Sequence, residues 1–463
     1  MPELSVSQTA IDGLLVIQLD VRADNRGWFK ENWQRAKMVA LGLPDFAPVQ
    51  NNVSFNTSAG ATRGIHAEPW DKLVSVVHGR VFGAWVDLRP GDGFGTVVTL
   101  ELGPDQAVFV PSGVGNAFQT LADETVYSYL VNDHWSLAAK DSYTFCNLAD
   151  ETLAIAWPIP LAQAELSEAD KNHSRLVDVT PMRQPKRLVI GAGGQLGRAL
   201  LAAWPGATGL GMEDLDLTDA AAVAALDLSG YGVVVNAAAY TAVDAAETDR
   251  GRREAWAVNV NAVASLAHAA REHRTTLVHI SSDYVFDGTV ENHREDEPLS
   301  PLGVYGQTKA AGDAVASTLA RHYLLRTSWV IGDGRNFVAT MASLADRGNA
   351  PSVVADQFGR LTFTDEIVAA IDHLLAVDAP YGTYNVSNGG PVTSWAEIAK
   401  AVYAARGQDP ALVTEVTTEE YGAGKELAPR PRHSALDLTK ITATGFAPRP
   451  AQDRLSTYLA QLS

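Results

Sequence analysis

The chain has 463 residues, 46% of them hydrophobic and 19% charged, and a formal net charge of −18 shared equally between its two halves. At about 150 residues per domain this length calls for two or three domains, each able to bury a core of its own. The acid excess argues against nucleic acid and anionic membrane as partners, and the lone Cys146 excludes an intramolecular disulfide or a multi-cysteine zinc site.

The N-terminal segment MPELSVSQTAIDGLLVIQLD lacks a basic n-region, and no long apolar run follows, so a soluble cytoplasmic protein is expected. From about residue 5 to 160, β-rich runs at 73–77, 80–86, 96–100 and 107–110 alternate with Gly, Pro, Asp and Asn turns. That rhythm predicts an antiparallel sandwich or barrel. On it lie the cations Arg26, Arg63 and Lys72, the carboxylates Glu31, Asp87 and Asp170, and the neutral polar residues Gln50, Asn52 and Tyr129. Cations suit a diphosphate, and a histidine oriented by a carboxylate suits proton abstraction. His66-Ala-Glu68 has the look of a metal-ligand pair, but a metal needs three or four converging ligands. The turn at 111–116 offers Asn116 where a further histidine would stand, so no metal is expected here.

A polar, proline-bearing stretch at 179–186 predicts a boundary, giving domains 1–184 and 185–463. Beyond it the pattern becomes strand, glycine turn, helix: 187–190, then GAGGQLG, then RALLAAW. It recurs at 232–236 with a helix at 254–273, and at 276–281 with a helix at 305–320. Such alternation predicts a parallel, doubly wound α/β Rossmann-type sheet. Gly191, Gly194 and Gly197 supply the tight turn, the close approach to a pyrophosphate and the open helix N-terminus of a dinucleotide site. In Tyr305-Gly-Gln-Thr-Lys309 the i,i+4 spacing sets an ammonium beside a phenol whose pKa, near ~10 when unperturbed, a cation lowers. Ser281-Ser282-Asp283 offers a hydroxyl to the same carbonyl oxygen, and together these predict hydride transfer to a ketone. After the second strand, LGMEDLD carries neither a clear ribose-binding acid nor an arginine for a 2′-phosphate, so NADPH and NADH both fit.

The runs VIGAGGQLG, VVNAAAYTAVDAAE (233–247), SSDYVFDG (281–288), PLGVYGQTKAAGD (301–313), LRTSWVIG (325–332), SWAEIA (394–399) and RPRHSALD (430–437) closely resemble the dTDP-4-dehydrorhamnose reductases, which are extended short-chain dehydrogenases. The resemblance implies Ser282, Tyr305 and Lys309 as catalytic residues. It implies cofactor contacts from Gly191, Gly194, Gln195, Leu196, Gly197, Asp216, Leu217, Ala237, Ala238, Tyr305 and Lys309. Val285, Phe286, Trp329 and Asn336 would line the sugar-nucleotide side, in part within a C-terminal substrate-binding portion. Ser282 replaces the family's usual threonine, and DQFGRLT (356–362) departs from the family's proline before the threonine.

DNRGWFKE (24–31), QNNVS (50–54), RGIH (63–66), KLVSVVHGRVFGAWVDLR (72–89), VPSGVGNAFQTL (110–121) and LSEAD (166–170) resemble the dTDP-4-dehydrorhamnose 3,5-epimerases. That implies a cupin-like jelly roll, with His66 as base paired to Asp170, Lys72 stabilising an enolate and Tyr129 returning a proton. Arg26, Glu31, Gln50, Asn52, Arg63, Asp87 and Asn116 would hold the dTDP-sugar, and the resemblance further implies a homodimer through this domain. Three departures stand out: a shortened segment between His66 and Lys72, Asn116 for the family's histidine, and Trp135 for a tyrosine.

The combined expectation is a bifunctional enzyme of dTDP-L-rhamnose synthesis, epimerising at C3 and C5 and then reducing the C4 ketone. Two alternatives remain: a reductase of a related deoxysugar joined to a single-position epimerase or an inactive dimerisation module, and a non-catalytic dinucleotide-binding regulatory protein.

Overall fold

The computed structural model describes residues 4–46, 48–134, 143–182, 186–228 and 230–462. It divides into two compact units, Met1–Gln184 and Pro185–Ser463. Residues 183–185 of the expected boundary and Trp135 lie outside the described residues.

In the first unit the described strands all pair antiparallel. One sheet runs Ser5–Gln8, Leu15–Gln18, Gln106–Val110, Lys72–His78, Thr125–Val131, Gln50–Asn56. The other runs Thr144–Phe145, Thr62–Ala67, Val114–Thr120, Val81–Asp87, Val97–Leu102. Alternate residues point inward from both sheets and interdigitate, so Val74, Val76, Trp85, Val108, Phe118 and Tyr127 share one core. The outer face of the second sheet is covered as well: Ala84, Val86 and Leu88 pack against Leu148, Leu176 and Met182 from the end of the unit. Covering both faces explains why 80–86 reads as an almost continuous apolar run. The architecture is a cupin-like jelly roll.

The second unit is built on six parallel strands in the order Thr208–Leu210, Lys186–Ile190, Tyr231–Asn236, Thr276–Ser282, His322–Thr327, Gly382–Asn385. Period-two alternation sends Val189, Val235 and Val278 to a core with Leu200 and Ile371, while Leu188, Val234 and Leu277 meet Val223 and Leu266 opposite. The strand order reverses between Lys186–Ile190 and Tyr231–Asn236, the place where doubly wound sheets open a ligand crevice. Helices Phe337–Asp346, Trp395–Ala405 and Ala451–Gln461 contribute to a further core with Val338, Met341, Val402 and Leu455. The SWAEIA motif starts the second of these through a capping box between Ser394 and Glu397.

Two expected helices differ in detail. The segment at 254–273 is Asp249–Trp256 and Ala262–Glu272 joined by a π-helical turn, Ala257–Asn261. The helix at 305–320 is Val304–Ala316; Ser317 and Thr318 turn their hydroxyls back onto the carbonyls of Asp313 and Val315, which competes with continuation of the helix. Among the described residues no helix is long and apolar enough to cross a membrane.

Candidate active sites

In the jelly roll, chemistry gathers from facing sheets. His66 on Thr62–Ala67 and Asn116 on Val114–Thr120 are cross-strand partners, whereas Lys72, Tyr127 and Tyr129 belong to the opposite sheet. Asp170 reaches His66 from the short helix Glu168–Lys171, whose N-cap Ser167 accepts from the Asp170 amide. His66 Nε2 donates to Asp170 Oδ1 at 2.8 Å, which leaves Nδ1 as the acceptor atom. Burial opposes the charge on Asp170, but hydrogen bonds from His66 and Ser167 and the nearby His173 hold it below the usual carboxylate value.

Lys72 is 4% exposed and hydrogen-bonds Glu68. A buried ammonium needs such a counter-charge. Tyr129 is raised by burial and by repulsion from Glu68, with Arg63 opposing, so it remains a proton donor at neutral pH. The Tyr127 hydroxyl donates to Asn116 Oδ1 at 3.1 Å, turning the Asn116 carbonyl toward the phenol. Asn52 lies opposite Tyr129 in register and accepts from Gln50 at 2.7 Å, while Arg63 donates to Asn56 at 3.2 Å.

Three expected residues stand apart. Arg26 is 84% exposed and pairs with Asp24 on the hairpin of Val21–Asp24 and Gly27–Lys30; Glu31 pairs with Lys37. The Asp87 carboxylate is taken by Arg89 and lines a separate cleft of about 420 Å³ with Asp12 and Thr96. Sequence reasoning missed His173, whose Nε2 lies 3.3 Å from Asp170 Oδ1. Glu68, the other member of the ligand-like pair His66-Ala-Glu68, instead faces Lys72. Among the described residues, the three groups that converge are His66, Asp170 and His173, with ligand atoms within 4.8 Å of one another. Both imidazoles meet the same Asp170 oxygen at hydrogen-bond distance, an arrangement satisfied by protons alone.

In the second unit the glycine turn sits at the switch point. Gly191 has φ +85°, and a Cβ there would fall 2.7 Å from the Ala238 amide nitrogen; one on Gly197 would fall 2.1 Å from the Gly191 carbonyl oxygen. The turn therefore presses onto Ala237-Ala238 and onto the helix Gln195–Ala203, whose N-cap Gly194 offers no side-chain acceptor. Uncapped helix N–H groups beside a backbone cradle with no Cβ fit a pyrophosphate. Leu196 is a core residue, and Gln195 donates to the Arg335 carbonyl at 3.1 Å. Asp216 binds its own turn through Thr218, and Leu217 packs on the core.

Ser282 ends the strand Thr276–Ser282 and donates to Asp283 Oδ1 at 3.0 Å. Burial pushes Asp283 up to about 6, against hydrogen bonds from Ser434 and Ser282. Burial also pushes Tyr305 up to about 12, opposed by its hydrogen bond to Ser282. Lys309 donates to the Ile280 carbonyl at 2.6 Å and is pushed down to about 8 by burial, with Asp313 opposing. The expected lowering of the tyrosine by its lysine is not found: burial raises Tyr305, and the group that opposes it is Ser282. Asn259, also missed by sequence reasoning, sits in the π turn and ties Thr308 to the Tyr240 backbone.

Val285 and Phe286 are fully buried with Ala310 and Leu436, so their side chains support the site and do not line it. Trp329 stacks on Trp395 at 3.8 Å. Asn336 caps Phe337–Asp346 and donates to the Gly332 carbonyl and the Tyr458 hydroxyl. Arg360 of the DQFGRLT segment donates to the carbonyls of Gly390 and Leu436. Arg430 of RPRHSALD pairs with Asp244 of the VDAAE motif at 2.8 Å, which ties the late motif to the loop that follows Tyr231–Asn236.

Fold and site together define a two-unit enzyme, a jelly roll with a histidine–aspartate dyad followed by a short-chain dehydrogenase with a Ser-Tyr-Lys centre. The chain belongs to two joined families: dTDP-4-dehydrorhamnose 3,5-epimerase, matched over residues 8–178, and the RmlD substrate binding domain, matched over 186–463. It is 52% identical to a "Protein RmlC homolog" of Streptococcus pyogenes, over 38% of this chain and 91% of that protein. It is 38% identical to the dTDP-4-dehydrorhamnose reductase of Aggregatibacter actinomycetemcomitans, over 59% of this chain and 98% of that one. The solved dTDP-4-dehydrorhamnose reductase of Bacillus anthracis in complex with NADP is 30% identical with a TM-score of 0.55, covering 61% of this chain and all of the other.

Proposed function

We propose that the protein converts dTDP-4-dehydro-6-deoxy-D-glucose to dTDP-L-rhamnose by 3,5-epimerisation followed by NAD(P)H-dependent reduction at C4. The observation that carries this reading is the presence, in one chain, of a dyad suited to protons α to a ketone and a phenol–lysine–hydroxyl set suited to that ketone's reduction. In the first unit His66 Nδ1 takes the proton from a carbon flanking the ketone while Asp170 stabilises the imidazolium. The Lys72 ammonium and the Asn116 amide sit on the enolate side. Tyr129, held protonated, returns a proton from the opposite face. Arg63, Gln50 and Asn52 bind the nucleotide sugar, and Asp87, by its bond to Arg89, supports the fold.

In the second unit the turn of Gly191, Gly194 and Gly197 and the backbone at Ala237 and Ala238 bind the dinucleotide, with Lys309 available to its ribose. The bound nicotinamide supplies the hydride. Tyr305 delivers the proton to the C4 oxygen and Ser282 orients that oxygen. Holding both activities in one chain keeps them at equal concentration.

Residues Trp28, Phe29, Val49, Val53 and Phe55 are 44–67% exposed, on the hairpin and on or beside the edge strand Gln50–Asn56. A patch of this kind supports a homodimer through the jelly roll, which would also give Arg26 and Glu31 a ligand. The buried lone Cys146 suits a reducing, cytoplasmic location. Incubation of the substrate in D₂O without reductant tests the first half: deuterium at both C3 and C5 supports 3,5-epimerisation, at one carbon a single epimerase, at neither an inert scaffold.

A further inference from the structure

The epimerase centre contains a second histidine, which meets the same carboxylate oxygen as the first. His173 lies three residues beyond Asp170, and its side chain is 15% exposed. Its ring stacks on Phe145 at 4.7 Å and 14°, and meets the His66 ring edge-on at 5.6 Å. Asn147, two residues after Phe145, donates to the carbonyls of Lys171 and His173 at 3.1 and 2.8 Å and so pins the turn that carries the ring. His66 and His173 both direct Nε2 at Oδ1 of Asp170, at 2.8 and 3.3 Å.

We propose that His173 is a positioning residue of the epimerase: by donating a second hydrogen bond to the oxygen that accepts from His66, it fixes Asp170 and limits how tightly the dyad holds its proton. Two donors on one carboxylate oxygen share its charge, and each weakens the other's bond. With His173 removed, Asp170 keeps His66 and Ser167 as donors, gives more of its charge to His66, stabilises the imidazolium more strongly, and is freer to rotate about its own side chain. The base then stays protonated to higher pH and sits less well for attack.

Among the described residues, the other charged groups of this centre are the buried Lys72–Glu68 pair and Arg63, which precedes His66 on its own strand. His66 comes from the strand Thr62–Ala67. On the segment of His173 itself, Glu168 and Lys171 pair with each other near solvent at 2.6 Å. The strand Thr144–Phe145 contributes Phe145, with the Tyr143 ring 6.2 Å beyond it.

The proposal rests on the epimerase reading of this site, and the two are tested separately by solvent-deuterium exchange into dTDP-4-dehydro-6-deoxy-D-glucose, without reductant, across pH 5.5–9 on the full chain. His173→Phe keeps a stacked ring and removes the N–H; His173→Gln keeps a donor and removes the ring. For His173→Phe the expected result is kcat lower by about tenfold, a part of what a well-placed base contributes. KM should change little, and the acid limb should move up by about one pH unit. His173→Gln should recover most of the rate and return the limb toward the parent. An unmoved limb in His173→Phe, or a rate loss that His173→Gln shares in full, overturns the proposal. Should His173→Phe fail to fold, His173→Asn, too short to reach Oδ1, is read against the same criteria. An unsubstituted chain that exchanges at neither carbon overturns the epimerase reading itself.

Discussion

His66 Nε2 and Asp170 Oδ1 lie 2.8 Å apart although 104 residues separate them in the chain. A strand supplies the histidine and a four-residue helix the carboxylate, so the dyad exists only once the end of the unit has folded over the second sheet. Replacing His66 with Gln should cut solvent exchange at C3 and C5 by roughly 10²–10⁴-fold, the range a positioned general base contributes. Reduction of ready-made dTDP-4-dehydro-L-rhamnose by the same variant should be unchanged. Parallel NMR exchange and NADPH-oxidation assays check both halves of that statement.

Tyr305→Phe should do the reverse. Exchange into the substrate continues, while ketone reduction falls by about 10²-fold or more because no group remains to protonate the C4 oxygen. Equal loss of both activities would mean that the variant disturbs more than proton delivery.

The reductase should lose activity on the alkaline side before its tyrosine ionises. Lys309 is pushed down to about 8 and Tyr305 up to about 12, so kcat/KM for NAD(P)H should fall as pH rises through about 8 with loss of the lysine charge. Lys309→Arg should move that limb upward. The sign for stability is opposite. Unfolded lysine titrates near 10.5, so folding expels a proton between about 8 and 10.5, and the unfavourable contribution of this group is relieved as pH rises through that window. Denaturant melts of the apo protein at pH 7.5 and 10 read this effect in a Lys309→Met comparison.

Gly197→Ala should strain the dinucleotide turn. Its Cβ would fall 2.1 Å from the Gly191 carbonyl oxygen, a clash of the kind that costs about 1–3 kcal/mol. Calorimetric titration with NADPH and NADH should show weaker binding of both, because the distorted atoms are those of the turn rather than of any residue at the adenosine ribose.

Asn116→Leu should lower exchange and also destabilise the first unit by about 1–3 kcal/mol, because the buried Tyr127 hydroxyl loses its acceptor. Adding Tyr127→Phe removes the orphaned group and should restore most of the stability without restoring exchange. That cycle separates the structural role of Asn116 from the role proposed for it toward the enolate.

The parts of the molecule that were legible in the sequence are those in which a few adjacent residues carry the whole signal. The GAGGQLG turn, the Tyr305–Lys309 helix and the strands around 73–77 and 276–281 needed only local spacing and period. Helix ends were harder, since Ser317 and Thr318 terminate Val304–Ala316 by side-chain bonds to backbone that hydropathy does not register. The polar partners in the epimerase centre depend on which groups fold together. Glu68 faces Lys72 and Asp87 faces Arg89, while His173 shares Asp170, and none of these choices has a sequence period. Val285 and Phe286 follow the catalytic strand in sequence, yet the 3-10 turn Asp283–Val285 carries them into the core.

The central claim is that one chain carries out two consecutive reactions on one sugar nucleotide. Its most direct test is mass spectrometry and NMR of the product formed from dTDP-4-dehydro-6-deoxy-D-glucose and NADPH in D₂O. The expected product is dTDP-L-rhamnose carrying solvent deuterium at C3 and C5 and the cofactor's hydrogen at C4. A reduced sugar that retains the D-configuration and carries no solvent deuterium would contradict it.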